Sequence, residues 1–285
     1  MFARINVFVV STLHNTTLRV KWMFKNAKNA NFDPMTAHLL VVKNPMYAKL
    51  AQTCIASFLH FHPNSKVVIH CDQSTWRSTY WQLGFLRFKR KGRIYIEKSF
   101  ENPEWQKSKL DLILSLQGTE DMFFDCDLRW NGTLSSKPNQ ALLYFVEEKP
   151  IETYPEIVSS LPPDFSRFAF AVMKNTSVFS WSGIEISETT RKQFEDLWHN
   201  INDYFAFSSK KQTSNHSRLS EQVALSILPN LLEIPYMFLK EDDGQFDGSV
   251  CESSYFGASG GRFALWGNTN RRTWFRKFKA SRTSL

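Results

Sequence analysis

"DMFFDCDLRW", residues 121–130, sets three apolar residues before two aspartates that stand one residue apart. A short apolar run bounded by acid reads as a buried strand. On a strand side chains alternate, so Asp125 and Asp127 point the same way and Cys126 the other. Two carboxylates this close repel, and one holds its proton unless a cation compensates. A hard divalent ion, Mn2+ or Mg2+, bridging to phosphate oxygens is the natural compensation. The plainer alternative is a strand end whose aspartates cap the next loop or pair with Arg129.

The chain upstream decides where that strand sits. "HLLVVK" (38–43) is an apolar run ended by Asn44-Pro45, hence a strand. "MYAKLAQTCIASFLHF" (46–61) carries apolar residues at helical spacing and ends before Pro63. "KVVIHCD" (66–72) predicts a second strand, "WRSTYWQLGFLRF" (76–88) a helix and "RIYIEKSF" (93–100) a third strand. "EWQKSKLDLILSLQG" (104–118) predicts a helix with Gly118 as its stop, and 121–127 a fourth strand. Strands alternating with helices imply a parallel sheet with helices on both faces. Ligands then bind beyond the carboxyl ends of the strands. Asp72, Asp125 and Asp127 all end strands and are expected on that rim.

After residue 140 the rhythm loosens. "ALLYFVE" (141–147), "RFAFAVMKN" (167–175) and "IPYMFLK" (234–240) read as strands. Residues 186–205 read as a helix capped by Ser187, and 218–231 as one opened by Ser220 and broken at Pro229. Residues 1–36 are hard to read, 241–249 are turn-rich and 253–268 glycine-rich. No linker divides the chain, so one domain over 1–270 is expected, with halves at about 38–147 and 148–270 and a tail at 271–285.

Composition narrows the class. The chain has 285 residues, 42% hydrophobic, which suffices for a sizeable core. A net charge of +8 and a pI near 9.3 suit an anionic partner. Cys54, Cys71, Cys126 and Cys251 form no CxxC pair, which argues against zinc and for reduced thiols in the cytosol. "INVFVVSTL" is far shorter than the roughly 20 apolar residues of a membrane span and has no cleavage site after it. Four glycosylation sequons, at Asn15, Asn131, Asn175 and Asn215, are close to the chance number. His60 and His62 read as a helix C-terminus rather than a metal pair.

At this point "MFFDCD" resembles the D-x-D signature of nucleotide-sugar glycosyltransferases of the GT-A fold. The similarity runs in order from about 38 to 260 and is closest to the retaining, family 8-like members. It implies a Rossmann-like, mainly parallel sheet with a smaller, irregular acceptor-side part. "NPMYAKLAQTCIASFLHFHPNSKVVIHCD" (44–72) is similar to the family's opening, where Tyr47 matches a Tyr that lies against the nucleotide base. The helix before D-x-D offers Lys109, 16 residues ahead of Asp125, as the basic group on the diphosphate, with Lys107 as second choice. "FSWSGIEIS" (179–187) looks like the N-x-G-V segment near donor and acceptor, through Ser182 and Gly183. "LSEQVALSIL" (219–228) is similar to the D-Q-x-x-L-N helix, with Glu221 for the acid and Gln222 matching. Asp72 is placed against ribose or base. A departure follows: Tyr255 stands where the family supplies a His to the metal, so either Glu252 or Asp247 substitutes, or the metal has only the two aspartates and the diphosphate.

The resemblance thus implies a hexosyl transfer from a nucleotide-diphosphate sugar, expected to be a UDP-sugar, to a glycan or lipid-linked acceptor. Mn2+ or Mg2+ on Asp125 and Asp127 and the Lys109 charge would stabilise the departing diphosphate. Glu221 is the sugar-side carboxylate. The tail "NRRTWFRKFKASRTSL" (270–285) interleaves six basic residues with aromatics and suits an anionic membrane surface. The implied location is the cytoplasm, peripheral at the membrane. Two rivals use the same features otherwise. A haloacid-dehalogenase-like phosphatase would make Asp125 a nucleophile, but Arg129 stands where that family wants Thr or Val. A basic nucleic-acid- or membrane-binding module would need no catalysis, and no RNA- or DNA-binding motif supports it.

Overall fold

The computed structural model describes residues 34–101, 103–134, 140–209, 220–240, 251–253, 255–256 and 264–265. The readings of 1–33, of the 241–250 loop with Asp247, and of the tail at 271–285 lie outside those residues. The elements run β1 (Thr36–Val41), α1 (Met46–Phe61), β2 (Lys66–Asp72), α2 (Gln73–Gln82), α3 (Gly84–Lys89), β3 (Ile94–Phe100), α4 (Trp105–Ser115) and β4 (Met122–Phe124). Then come β5 (Leu128–Trp130), β6 (Leu142–Pro150), α5 (Pro155–Val158), β7 (Val172–Ser180), α6 (Glu188–Ser209), α7 (Ser220–Leu232) and β8 (Tyr236–Lys240). The short strands β9 (Cys251–Ser253), β10 (Tyr255–Phe256) and β11 (Ala264–Leu265) follow.

Seven strands form one sheet in the order β3-β2-β1-β4-β7-β6-β8. All run parallel except β7, which lies antiparallel between β4 and β6. The α/β class and mainly parallel sheet expected from the sequence are present. Both faces are covered, which is why β4 is apolar at every position. Met122 and Phe124 face the layer built on α1, while Phe123 faces the layer built on α4, α6 and α7. Helix α1 is buried nearly all round. The sheet covers one side, and Trp130 of β5 packs on Phe58 and His62 from the other. His62 closes that helix: its Nδ1–H donates to Phe58 O at 3.3 Å, and Nε2 accepts from Leu134 N at 3.0 Å.

Several boundaries differ from the sequence reading. The fourth strand stops at Phe124, so Asp125, Cys126 and Asp127 occupy the turn beyond it. The stretch 76–88 is two helices that meet at Leu83, and the first begins at Gln73 because Asp72 caps it. The strand expected at 167–175 lies at Val172–Ser180, preceded by a 3-10 segment over Pro163–Phe168. Pro229 does not break its helix. It removes the N–H that Leu225 O would accept. The Tyr144 hydroxyl donates to Leu225 O instead at 2.7 Å, and Lys174 Nζ donates to Ser226 O at 3.0 Å. Burial lowers the Lys174 pKa to about 8, with Glu147 opposing.

Candidate functional site

The carboxyl ends of β1, β2 and β4 open on one rim, as parallel strands require. Each of these ends is tied down by its own sequence. After β1 the backbone turns at Lys43 (φ +63), and the Asn44 side chain accepts from Met46 N at 2.9 Å to open α1. Asp72 ends β2 as an N-cap: its Oδ1 accepts from Thr75 N at 2.8 Å and Ser74 Oγ at 2.9 Å, and its Oδ2 accepts from Lys43 N at 2.8 Å. Burial opposes these hydrogen bonds, yet they hold the Asp72 carboxyl below its usual pKa. Both oxygens are thus engaged in joining β1 to α2, and the structure gives Asp72 a scaffold role at the rim.

Past β4 the chain turns sharply, with Leu128 N donating to Asp125 O at 3.3 Å. The Cys126 side chain points inward and is buried. Burial first, then the charges of Asp127 and Asp125, push its thiol well up, so it stays protonated and inert. Asp125 and Asp127 flank it on the rim side, half-buried.

Lys109 is the centre of the site. It projects from α4 and is only 4% exposed, which excludes a solvated helix face. Its Nζ lies 3.1 Å from Asp125 Oδ1 and 3.3 Å from Oδ2. Glu221 Oε1 lies 3.7 Å away on the other side, from the first turn of α7. Burial alone would lower the Lys109 pKa. The charges of Asp125 and Glu221, the hydrogen bond to Asp125 and the charge of Asp127 outweigh it and hold the pKa above the usual lysine value. For Glu221 burial wins over the help of Lys109, and its carboxyl sits above the usual range. Glu221 is 5% exposed, so it is not the solvated first-turn acid that its position allows. Its Oε2 and the neighbouring Gln222 Nε2 are buried and have no hydrogen-bond partner among the described residues. Lys107, the second choice for the basic group, points away and pairs with Asp111 at 2.7 Å.

The rim also carries an aromatic pair. Tyr47, from the first turn of α1, stacks on Trp105 with ring centroids 5.1 Å apart and 18° between planes. Trp105 opens α4 and lies one turn before Lys109, on the same side of the helix. Tyr47, Trp105, Lys109 and Asp125 therefore follow one another along the rim. The sequence reading missed Trp105; its signal was the i, i+4 spacing to Lys109.

Ser182 and Gly183 are not part of this site. Strand β7 is antiparallel to β4: Phe124 faces Val178, and Met122 faces Ser180. Asp125 N donates to Ser177 O at 2.8 Å, whereas Gly183 N donates to Thr119 O, ahead of β4, at 2.8 Å. Three steps of strand separate Ser177 from the strand end at Ser180, about 10 Å at ~3.3 Å per residue, and Ser182 and Gly183 lie in the turn beyond it. The residues that do reach the rim are Asn175, Thr176 and Ser177. Asn175 Nδ2 donates to Glu148 Oε1 at 3.0 Å, and its Oδ1 accepts from Ser177 N at 2.9 Å. "NTSV" (175–178) matches N-x-G-V at Asn and Val, with Ser for Gly.

Around Lys109 one ammonium meets three carboxylates, Asp125, Glu221 and Asp127, a formal +1 − 3 = −2. A divalent cation would complete that charge, and carboxylate oxygens are the donors that Mn2+ or Mg2+ prefers. Among the described residues no group of three or more His, Cys, Asp or Glu side chains stands close enough to hold a metal. The turn supplies two acidic ligands at most. Strand β5 pairs antiparallel with β9, which sets Glu252 opposite Arg129 and Ser253 opposite Leu128, the residue after Asp127.

No protein-family model matches the chain, and no curated protein is significantly similar to it. Solved structures of similar shape include the PaToxG glycosyltransferase, 10% identical over 81% of each chain with a TM-score of 0.40. The galactosyltransferase LgtC in complex with donor and acceptor sugar analogs is 12% identical, covering 60% of this chain and 70% of its own, at 0.40. The mannosyltransferase PcManGT from Pyrobaculum calidifontis, in complex with GDP-Man and Mn2+, is 12% identical over 78% of this chain and 81% of its own, at 0.33.

Proposed function

We propose that this chain is a GT-A-type glycosyltransferase that moves a sugar from a nucleotide-diphosphate donor to a glycan or lipid-linked acceptor. The observation that carries the reading is the buried Lys109–Asp125–Glu221 cluster at the carboxyl rim of the sheet. A buried ammonium beside a carboxylate pair short of two positive charges suits a pyrophosphate held through a divalent ion. Asp125 and Asp127 are the residues to hold Mn2+ or Mg2+, which would neutralise charge on the leaving diphosphate. Lys109 turns toward the same phosphates and stabilises them in a site poor in water. The nucleotide base packs at the Tyr47–Trp105 aromatic pair on the rim. Glu221 and Gln222, with buried polar atoms left unpaired, face the sugar. Asn175–Ser177 replace Ser182 and Gly183 as the donor-side segment of β7. A cytoplasmic location rests on three buried free thiols, Cys54, Cys71 and Cys126. No helix among the described residues is long and apolar enough to cross a membrane.

The phosphatase alternative gains nothing from this geometry. Its nucleophile strand opens the domain in that family, whereas β4 follows three strand–helix units. The test is a thermal-shift panel of UDP, GDP and their sugars, with and without Mn2+. Wild-type protein is stabilised by one nucleotide only when Mn2+ is present, and Asp127→Ala loses that shift while its own melting temperature holds. No metal-dependent shift with any nucleotide, or an undiminished one in Asp127→Ala, overturns the reading.

A further inference from the structure

The edge of the sheet beside β3 carries a surface that the site does not use. From Gln73 to Ile96 the chain holds six basic residues (Arg77, Arg87, Lys89, Arg90, Lys91 and Arg93) and no acid. Helices α2 and α3 follow directly on one another through Leu83, and buried Thr75, Thr79, Leu83 and Leu86 anchor them. The opposite face is aromatic. Trp81 is 80% exposed and Phe88 85%, with Trp76, Tyr80, Phe85 and Tyr95 between 36% and 44%. Trp76 leans on Tyr80, and Arg87 lies 4.4 Å over the Tyr80 ring, so helix α3 and helix α2 share one surface. Isolated exposed aromatics are ordinary on proteins; six together, rimmed by cations, mark an interaction surface.

Charge says what covers it. Residues 1–33 hold five basic residues and one acid, and the tail at 270–285 holds six basic residues and none. Neither terminal segment complements a basic face, and a second copy of the same face would repel it. The acidic run that begins at Glu241 leaves β8, at the far edge of the seven-stranded sheet. Six strand spacings of ~4.8 Å put that edge about 29 Å away. The partner is therefore external and anionic. Trp81 and Phe88 stand out from the two helices at 80% and 85% exposure, whereas single-stranded nucleic acid takes a groove with stacking platforms. Trp and Tyr suit the headgroup layer, Phe the acyl boundary beneath it, and Lys and Arg the acidic headgroups. From this exposed aromatic and basic surface we propose that the α2–α3 segment docks the protein on an anionic phospholipid bilayer. The proposal does not depend on the reaction assigned above.

Co-sedimentation of the full chain with vesicles tests it. Phosphatidylcholine vesicles with about 30% phosphatidylserine retain the protein, pure phosphatidylcholine does not, and added salt releases it. Two independent pairs of exposed substitutions, Trp81→Ser with Phe88→Ser and Arg77→Glu with Lys91→Glu, each weaken binding by about tenfold or more. Both pairs keep the wild-type melting temperature and the nucleotide response. No preference of the wild type for acidic vesicles, or full binding by both variants, overturns the proposal. So does a surface whose aromatic variants instead lose binding to a single-stranded oligonucleotide, or lose a concentration-dependent dimer.

Discussion

Replacing Lys109 by Met keeps an unbranched side chain one atom shorter and removes its charge. The ammonium sits 3.1 Å from Asp125 and 3.7 Å from Glu221. At an effective dielectric of about 20, those separations give gross attractions of about 5 and about 4.5 kcal/mol. Desolvation of a 4%-exposed ammonium takes back most of this. Removing one member of a buried ion cluster nevertheless costs about 3–5 kcal/mol, because the carboxylates left behind have neither water nor a cation. Lys109→Met is therefore expected to lose about 3 kcal/mol or more in urea unfolding, measured without metal. Glu221→Gln has the opposite character. It removes one of three negative charges that share one positive charge and keeps the shape, so alone it changes stability by about 1 kcal/mol at most. In the Lys109→Met background the same change restores about 1–2 kcal/mol, a coupling that only direct contact produces. Mn2+ also restores stability to Lys109→Met if it replaces the missing charge at Asp125. A loss below about 1 kcal/mol for Lys109→Met, or additive single and double variants, would refute the cluster as described.

Two further outcomes follow from buried polar groups away from the rim. His62 and His70 are each held near a pKa of about 4, chiefly by burial, with His38 adding to the effect on His70. The unfolded chain takes up these protons near pH 6.5, before the folded one does, so their stability contribution is whole above that pH and fades between pH 6.5 and 4. At pH 5 each costs about 2 kcal/mol relative to pH 7, and His62→Gln should flatten part of the slope in urea titrations; a level profile contradicts the assignment. Tyr144→Phe removes the donor on Leu225 O and should cost about 1–2 kcal/mol. In a Pro229→Ala background the helix supplies its own N–H, so an equal loss there would show that the hydroxyl does not serve the proline.

The donor half of the fold was legible because its signals are local. Strand β4 is wholly apolar, β1 and β2 each hold a short apolar run, β3 opens on Ile94-Tyr95-Ile96, and the helices between them carry their own stops and caps. The register of α1 and β2 agrees with the sequence to the residue. Asp125 could be singled out as an acid closing an apolar run, and such a group needs a partner; Lys109 and Glu221 came from the family resemblance alone. What the sequence does not display is which partner. Lys109 and Glu221 lie 112 residues apart and meet only because α4 and α7 pack on the same face of the sheet. Asp72 shows the converse. An acid at a strand end followed by Ser and Thr reads equally as ligand contact or helix cap, and only the hydrogen bonds to Thr75 and Lys43 decide for the cap.

The misplacement of Ser182 and Gly183 has a more general cause. A period-two apolar pattern reads the same in both directions, so a run such as "VMKNTSVFS" announces a strand without its polarity. Three strand–helix units in succession predict a fourth parallel strand, and under that rule the C-terminal end of β7 would meet Asp125. The actual connection from β6 to β7, over residues 151–171, holds only a four-residue α-helix and two 3-10 segments. That is too little helix to cover a sheet face and return in a right-handed crossover, which takes roughly ten or more residues. The chain turns back instead, β7 runs antiparallel, and its N-terminal half arrives at the rim. The deciding signal was therefore in the connection: Pro155, Pro162 and Pro163 interrupt it too often for a crossover helix. Reading that segment for length of helix moves the part of β7 that reaches the rim from 182–183 to 175–177, next to Asp125.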